Sequence, residues 1–234
     1  WFQLAILSSL RDRIDNNSSG GGMAMVGLLS AVFNVVICIG IPVIVCLYLW
    51  RRTKVGLKIF LLGIVGYFVS QMCVRQTILA MLSSVDIYRT FVALHAVLYL
   101  LFMAVTAALV EESARYIIYR HFIRGASGNK VPIYYGLGHG GLEAITIGIN
   151  NVALLMVASD YLANAGWIVS LAGFERISVM IAQVAFSIIV YTGKRGFLAA
   201  IILHTAYDFV IVLLNYGWSQ IVLEGLLFVM SLIM

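Results

Sequence analysis

Seven residues have the types and the spacing to do chemistry together: Glu111, Glu112, Arg115, His139, Glu143, His204 and Asp208. All of them lie within long apolar runs. A charge near the centre of a membrane helix costs about 2.5–3.5 kcal/mol on insertion scales, so a bundle does not accumulate them without a use. His139 and Glu143 stand at i and i+4, as do His204 and Asp208, so each pair shares a helix face. Two facing helices so equipped can gather imidazole and carboxylate donors around one point. Catalytic zinc sites commonly use three N/O protein ligands and leave one position for water. His139, Glu143 and His204 are the candidate ligands of a zinc ion, with Asp208 either a fourth ligand or a group that orients one. The glutamate pair is then free to deprotonate water. Adjacent residues point about 100° apart on a helix, so Glu111 and Glu112 need not share a role. Arg115 is four residues from one and three from the other. One glutamate can pair with it while the other faces the site, and the sequence alone does not say which.

The depths of these groups agree. At about 1.5 Å per residue, His139 lies about 13 Å in from Lys130, and His204 about 13 Å in from Arg195. The glutamates lie about 12–14 Å in from Arg120, while Glu143 and Asp208 sit about one turn deeper. Three helices therefore deliver polar groups to one layer. Gly136, Gly138, Gly140 and Gly141 surround His139. They weaken a helix by about 1 kcal/mol each relative to alanine. Close backbone approach by a substrate and tight contact with a neighbouring helix explain them equally well.

The elements that must position this layer are membrane spans. The chain is 62% hydrophobic and 11% charged, with a mean hydropathy of +1.02. Soluble domains are about 45–50% apolar, so lipid is the solvent for most of this surface. Continuous apolar runs of about 20 residues indicate helices rather than a barrel. Spans are predicted at about 26–50, 57–82, 91–119, 132–157, 171–191, 197–216 and 220–234. The apolar stretch 161–171 is either a re-entrant piece or the start of the fifth. The expected fold is all-α, a polytopic bundle of about seven spans. Basic clusters at Arg51, Arg52, Lys54 and Lys58, at Arg120, His121, Arg124 and Lys130, and at Lys194 and Arg195 all fall at one end. The positive-inside rule makes that end cytoplasmic. It places the N-terminus outside and the site in the cytoplasmic half, with a peptide entering from the cytoplasm. Residues 1–22, with the run Asn16 to Gly22, read as a linker-like or fused extension, and 23–234 as the membrane domain. The net charge of +5 reports orientation, not nucleic acid. Cys38, Cys46 and Cys73 show no paired spacing and read as packing residues.

Glu111-Glu112-x-x-Arg115, Gly138-His139-Gly140-x-x-Glu143 and His204-x-x-x-Asp208 together resemble the YhfC family of predicted intramembrane metalloproteases. That family is grouped with the CAAX-prenyl-protease-like (ABI) and PrsW-like membrane proteases, and the resemblance spans about residues 25–234. It implies a CAAX-protease-like core, hydrolysis of a peptide or membrane-protein substrate, and the bacterial cytoplasmic membrane. A second motif holding both His139 and Glu143 is nearer the PrsW-like form. Members of the wider group are also described as glutamate-dependent. In that version glutamate and histidine activate water directly, and His204 with Asp208 forms an oxyanion site.

Other polar residues read more plainly. His95 has no partner at i±4 and reads as packed or interfacial, and His121 as solvated. Arg75, Glu175, Arg176 and Glu224 suit a structural ion-pair network in the outer half, with a substrate path as the alternative. Two rival functions stand beside proteolysis: a proton-coupled transporter, since acid and histidine chains also mark proton relays, and a noncatalytic binding or immunity-type membrane protein with a degenerate site.

Overall fold

The computed structural model describes residues 21–123, 128–157 and 168–234. Among the described residues every regular element is a helix. Lipid offers no hydrogen-bond partner, so a chain this apolar satisfies its backbone within helices. Helix α1 (Gly21–Val35) passes through a π-helical turn (Val36–Gly40) into α2 (Ile41–Arg52). Thr53 breaks the helix and caps α3 (Lys54–Tyr67), accepting from the Gly56 N–H. A π-helical segment (Phe68–Arg75) continues into α4 (Gln76–Ser83). The short α5 (Asp86–Leu94) precedes α6 (Ala96–His121), α7 (Lys130–Val157) and α8 (Ile168–Tyr191). Gly193, at φ +112°, makes the turn into α9 (Lys194–Phe209), a conformation that favours glycine. A 3-10 segment (Val210–Tyr216) leads to α10 (Gln220–Ile233), capped by Ser219.

Among the described residues, five stretches are long and apolar enough to cross a membrane: Met25–Arg52, Lys54–Ser83, Ala96–His121, Ser170–Tyr191 and Lys194–Tyr216. Helix α7, with 28 residues, has the length of a span. Helix α10 is apolar but only 14 residues long. The third span, expected to run unbroken from about residue 91, instead starts at Ala96. His95 separates it from α5 and packs its ring on Phe91. Residues 1–20 of the linker-like extension, Arg124 of the second basic cluster, and residues 161–167 of the apolar stretch before α8 lie outside the described residues.

Helix α7 is the centre of the bundle, packed against α3 on one side and α8 on the other, while α9 packs on α6. Glycines set the first contact. A Cβ on Gly138 would strike the Phe60 carbonyl, and one on Gly63 the Tyr135 carbonyl. Gly136 meets the α8 backbone at Val184, and Gly141 faces Pro42. The glycines around His139 therefore serve helix packing on several sides. One apolar cluster (Val179, Phe186, Tyr207, Leu223, Leu227) ties α8, α9 and α10 together. Another (Ile59, Ile118, Ile123, Val131, Tyr135) closes the end of α3, α6 and α7 nearest the basic residues. At that end Arg52, Lys130 and Tyr134 line one recess, so the basic helix ends of α2 and α7 share a level.

Candidate active site

The expected layer forms. Helix α6 carries Glu111, Glu112 and Arg115, α7 carries His139 and α9 carries His204, and all five are buried. His139 Nε2 lies 2.9 Å from Glu111 Oε2, and His204 Nδ1 lies 2.7 Å from Glu112 Oε1. A carboxylate only accepts, so each imidazole N–H donates. His204 then presents Nε2 to the site, 3.9 Å from Glu111 Oε2 and 3.6 Å from Asp208 Oδ2. The ring stacks on Phe186 at 4.5 Å, and His139 meets the edge of Tyr67 at 5.3 Å.

The two glutamates separate by environment. Arg115 Nη1 reaches both oxygens of Glu112, at 2.8 and 2.6 Å. This pair has no exposed side-chain surface, and the guanidinium also sits 5.9 Å from the Tyr135 ring centroid. Glu111 has no arginine partner among the described residues. Its oxygens accept from Gln71, from Gln183 and from His139. Glu112 is thus a locked carboxylate that orients His204, while Glu111 is held only by neutral amides and an imidazole.

Glu143 is elsewhere. It stands 3.2 Å from Arg176 Nη1 and 3.1 Å from Gln183 Nε2. Arg176 also pairs with Glu175. The predicted ligand set of His139, Glu143, His204 and Asp208 is therefore not assembled, because an arginine on α8 draws Glu143 away. Among the described residues no three His, Cys, Asp or Glu side chains form a group able to hold a metal. His139 Nε2 is taken by Glu111, and its Nδ1 is buried without a hydrogen-bond partner among the described residues. The residues as arranged do not fit a zinc ion.

Gln183 and Gln71 were not among the residues singled out from sequence. Gln183 bridges Arg115, Glu111 and Glu143. Their signal was available, since an amide within an apolar span also needs a partner. The outer network forms only in part. Glu175 and Arg176 pair as expected, but Arg75 bonds neutral groups, and both oxygens of the buried Glu224 lack a hydrogen-bond partner among the described residues.

A cavity of about 360 Å³ opens from this layer. Glu111 and His204 line one end. From there the walls run through Glu143, Arg176 and Arg75 to Gln76, Leu100 and Asn150. These last residues lie toward the helix ends away from the basic clusters. Exposure rises the same way, from buried Glu111 to half-buried Asp208 and exposed Asn150. The opposite end is closed by Glu112, Arg115 and Tyr135, each fully buried.

The family described as YhfC intramembrane metalloprotease matches residues 35–167, a stretch that includes the motifs of α6 and α7 but ends before His204. "Uncharacterized membrane protein YhfC" of Bacillus subtilis (strain 168) is 25% identical over 208 residues, covering 73% of this chain and 79% of the relative. No solved structure matches.

Proposed function

This chain belongs to the YhfC intramembrane metalloprotease family, and on that premise we propose that it hydrolyses peptide bonds within the membrane, with Glu111 activating the attacking water. The observation that carries this reading is the placing of Glu111. It is buried, free of any arginine among the described residues, and set between His139 and the Nε2 face of His204 at the end of a cavity. A base needs hydrogen-bond reach of the proton that it abstracts, and the cavity brings water and peptide to that carboxylate.

In this reading Glu111 takes a proton from water as the water oxygen adds to the scissile carbonyl. The C–N bond then breaks, and the same carboxyl returns the proton to the leaving amine. His139 and Gln183 hold Glu111 in register. His204, whose Nδ1–H is held by Glu112, also carries a proton on Nε2 in this reading and donates from it to the developing oxyanion, with Asp208 beside it. Low-dielectric surroundings make such fixed donors effective. Zinc, expected from the motifs and suggested by the family's name, takes no part in these steps, because Glu143 is committed to Arg176. The substrate is a peptide or a segment of a membrane protein. The cavity's direction supports entry from the side away from the basic loops, not from the cytoplasmic side.

Purified protein in lipid vesicles, incubated with a mixture of apolar peptides, should generate new peptide termini detectable by mass spectrometry. Glu111→Gln should generate none. Equal product from wild type and Glu111→Gln would overturn the assignment of the base.

A further inference from the structure

Three arginines are buried among the described residues: Arg75, Arg115 and Arg176. Two of them face carboxylates. Arg115 grips Glu112, and Arg176 lies between Glu143 and Glu175. Arg75 differs. Its Nη1 donates to Gln71 Oε1 at 3.1 Å, its Nη2 to the Met103 carbonyl at 2.9 Å, and its Nε faces Thr106 at 3.4 Å. All of these acceptors are neutral, and among the described residues no carboxylate stands within ion-pair distance of Arg75. A buried cation is costly unless paired. Yet Arg75 is only 7% exposed and lines the cavity that leads to Glu111. It ends the π-helical segment Phe68–Arg75, a backbone form found often at functional sites.

We propose that Arg75 is an anion subsite for the substrate, taking a carboxylate on the outward side of the scissile bond. The proposal rests on the hydrolytic reading above and adds a substrate class to it. Arg75 meets α6 at Thr106 and Met103, five and eight residues from Glu111, or about 8–12 Å along the helix. An extended peptide advances about 3.3 Å per residue. Gln71 bridges the guanidinium and Glu111 with one hydrogen bond on each side, a gap of no more than about 8 Å, so the carboxylate sits about two residues from the bond that is cut. A planar guanidinium matches a carboxylate with two parallel hydrogen bonds. The group is either an Asp or Glu side chain or the free end of the peptide chain; both present the same chemistry to Arg75. Gln71 links this subsite to the base, since it accepts from Arg75 and donates to Glu111.

The test uses the full chain in lipid vesicles and a library of apolar decapeptides. Each carries Asp or Asn at one position, with free and amidated C-termini. Wild type should cleave carboxylate-bearing peptides at least about tenfold faster than their neutral partners, the scale of one buried charge contact, at one fixed distance from the cut. The ratio should fall to near one in Arg75→Gln and be partly kept in Arg75→Lys. Preference for Asp in amidated peptides assigns the side chain; preference confined to free ends assigns the terminus. No discrimination by wild type, or an unchanged ratio in Arg75→Gln, would overturn the subsite. If wild type cleaves nothing, the hydrolytic reading fails, and retention of the same library on Glu111→Gln protein then decides the subsite. Enrichment of acidic peptides that is lost on adding Arg75→Gln supports it, and equal retention overturns it.

Discussion

Glu111 on α6 and His139 on α7 meet at 2.9 Å between Oε2 and Nε2, with both side chains buried. This contact joins the first and second motifs across 28 residues of sequence. On the same helix, Glu112 turns to His204 on α9. Adjacent glutamates thereby reach two different helices, and the roughly 100° between them becomes a division between the proposed base and an orienting carboxylate.

That division has a consequence for stability. Glu112→Gln leaves Arg115 buried with its counter-charge removed, and breaking a buried pair costs about 3–5 kcal/mol. Glu111→Gln removes no ion pair with an arginine. Thermal unfolding in detergent should therefore show a large loss for Glu112→Gln and a much smaller one for Glu111→Gln. Equal losses would contradict the separate roles.

Gln183 is expected to matter as much as the charged residues. Gln183→Ala removes an acceptor from Arg115 and donors from Glu111 and Glu143. Leaving buried polar groups unsatisfied costs about 1–3 kcal/mol. The variant should be less stable by that order and should cleave peptides more slowly. Wild-type stability and cleavage in Gln183→Ala would show that the bridge is incidental.

The α3–α7 crossing depends on Gly138, because a methyl group there meets the Phe60 carbonyl. Gly138→Ala should lower stability by about 1–3 kcal/mol through overpacking and shift His139. Gly225 on α10 has open space around its Cβ position, so Gly225→Ala should cause no loss. Equal melting temperatures for the two variants would argue against the close approach.

The cavity predicts sidedness. In a chain with Cys38, Cys46 and Cys73 replaced, Asn150→Cys at the cavity's outer end should react with a membrane-impermeant maleimide from one side. Lys130→Cys should react from the other. Labelling of both from the same side would contradict the bundle's alternation.

Much of this was legible in the sequence. Spacing at i and i+4 put His204 and Asp208 on one face, and equal distances from the basic clusters put Glu111, His139 and His204 in one layer. These are properties of single helices, which periodicity reports. The role of Glu143 was not legible, because its partner Arg176 lies 33 residues away on α8 and the rotation of α8 against α7 follows from packing. The choice between Glu111 and Glu112 depended on the rotation of α6 for the same reason. Gln71 and Gln183 carry no charge and stood out less than the acids, although an amide inside a span has the same need of a partner. The break at His95 had no glycine or proline to announce it.

The central claim is that Glu111, not a metal held by Glu143, prepares the water. The most direct measurement compares peptide cleavage and bound metal in purified wild type, Glu111→Gln and Glu143→Gln. The account predicts that Glu111→Gln is inactive, a loss of at least about 10² as expected for removal of a general base. Glu143→Gln should keep measurable cleavage with unchanged metal content. An inactive Glu143→Gln that has lost a stoichiometric metal, beside an active Glu111→Gln, would contradict it.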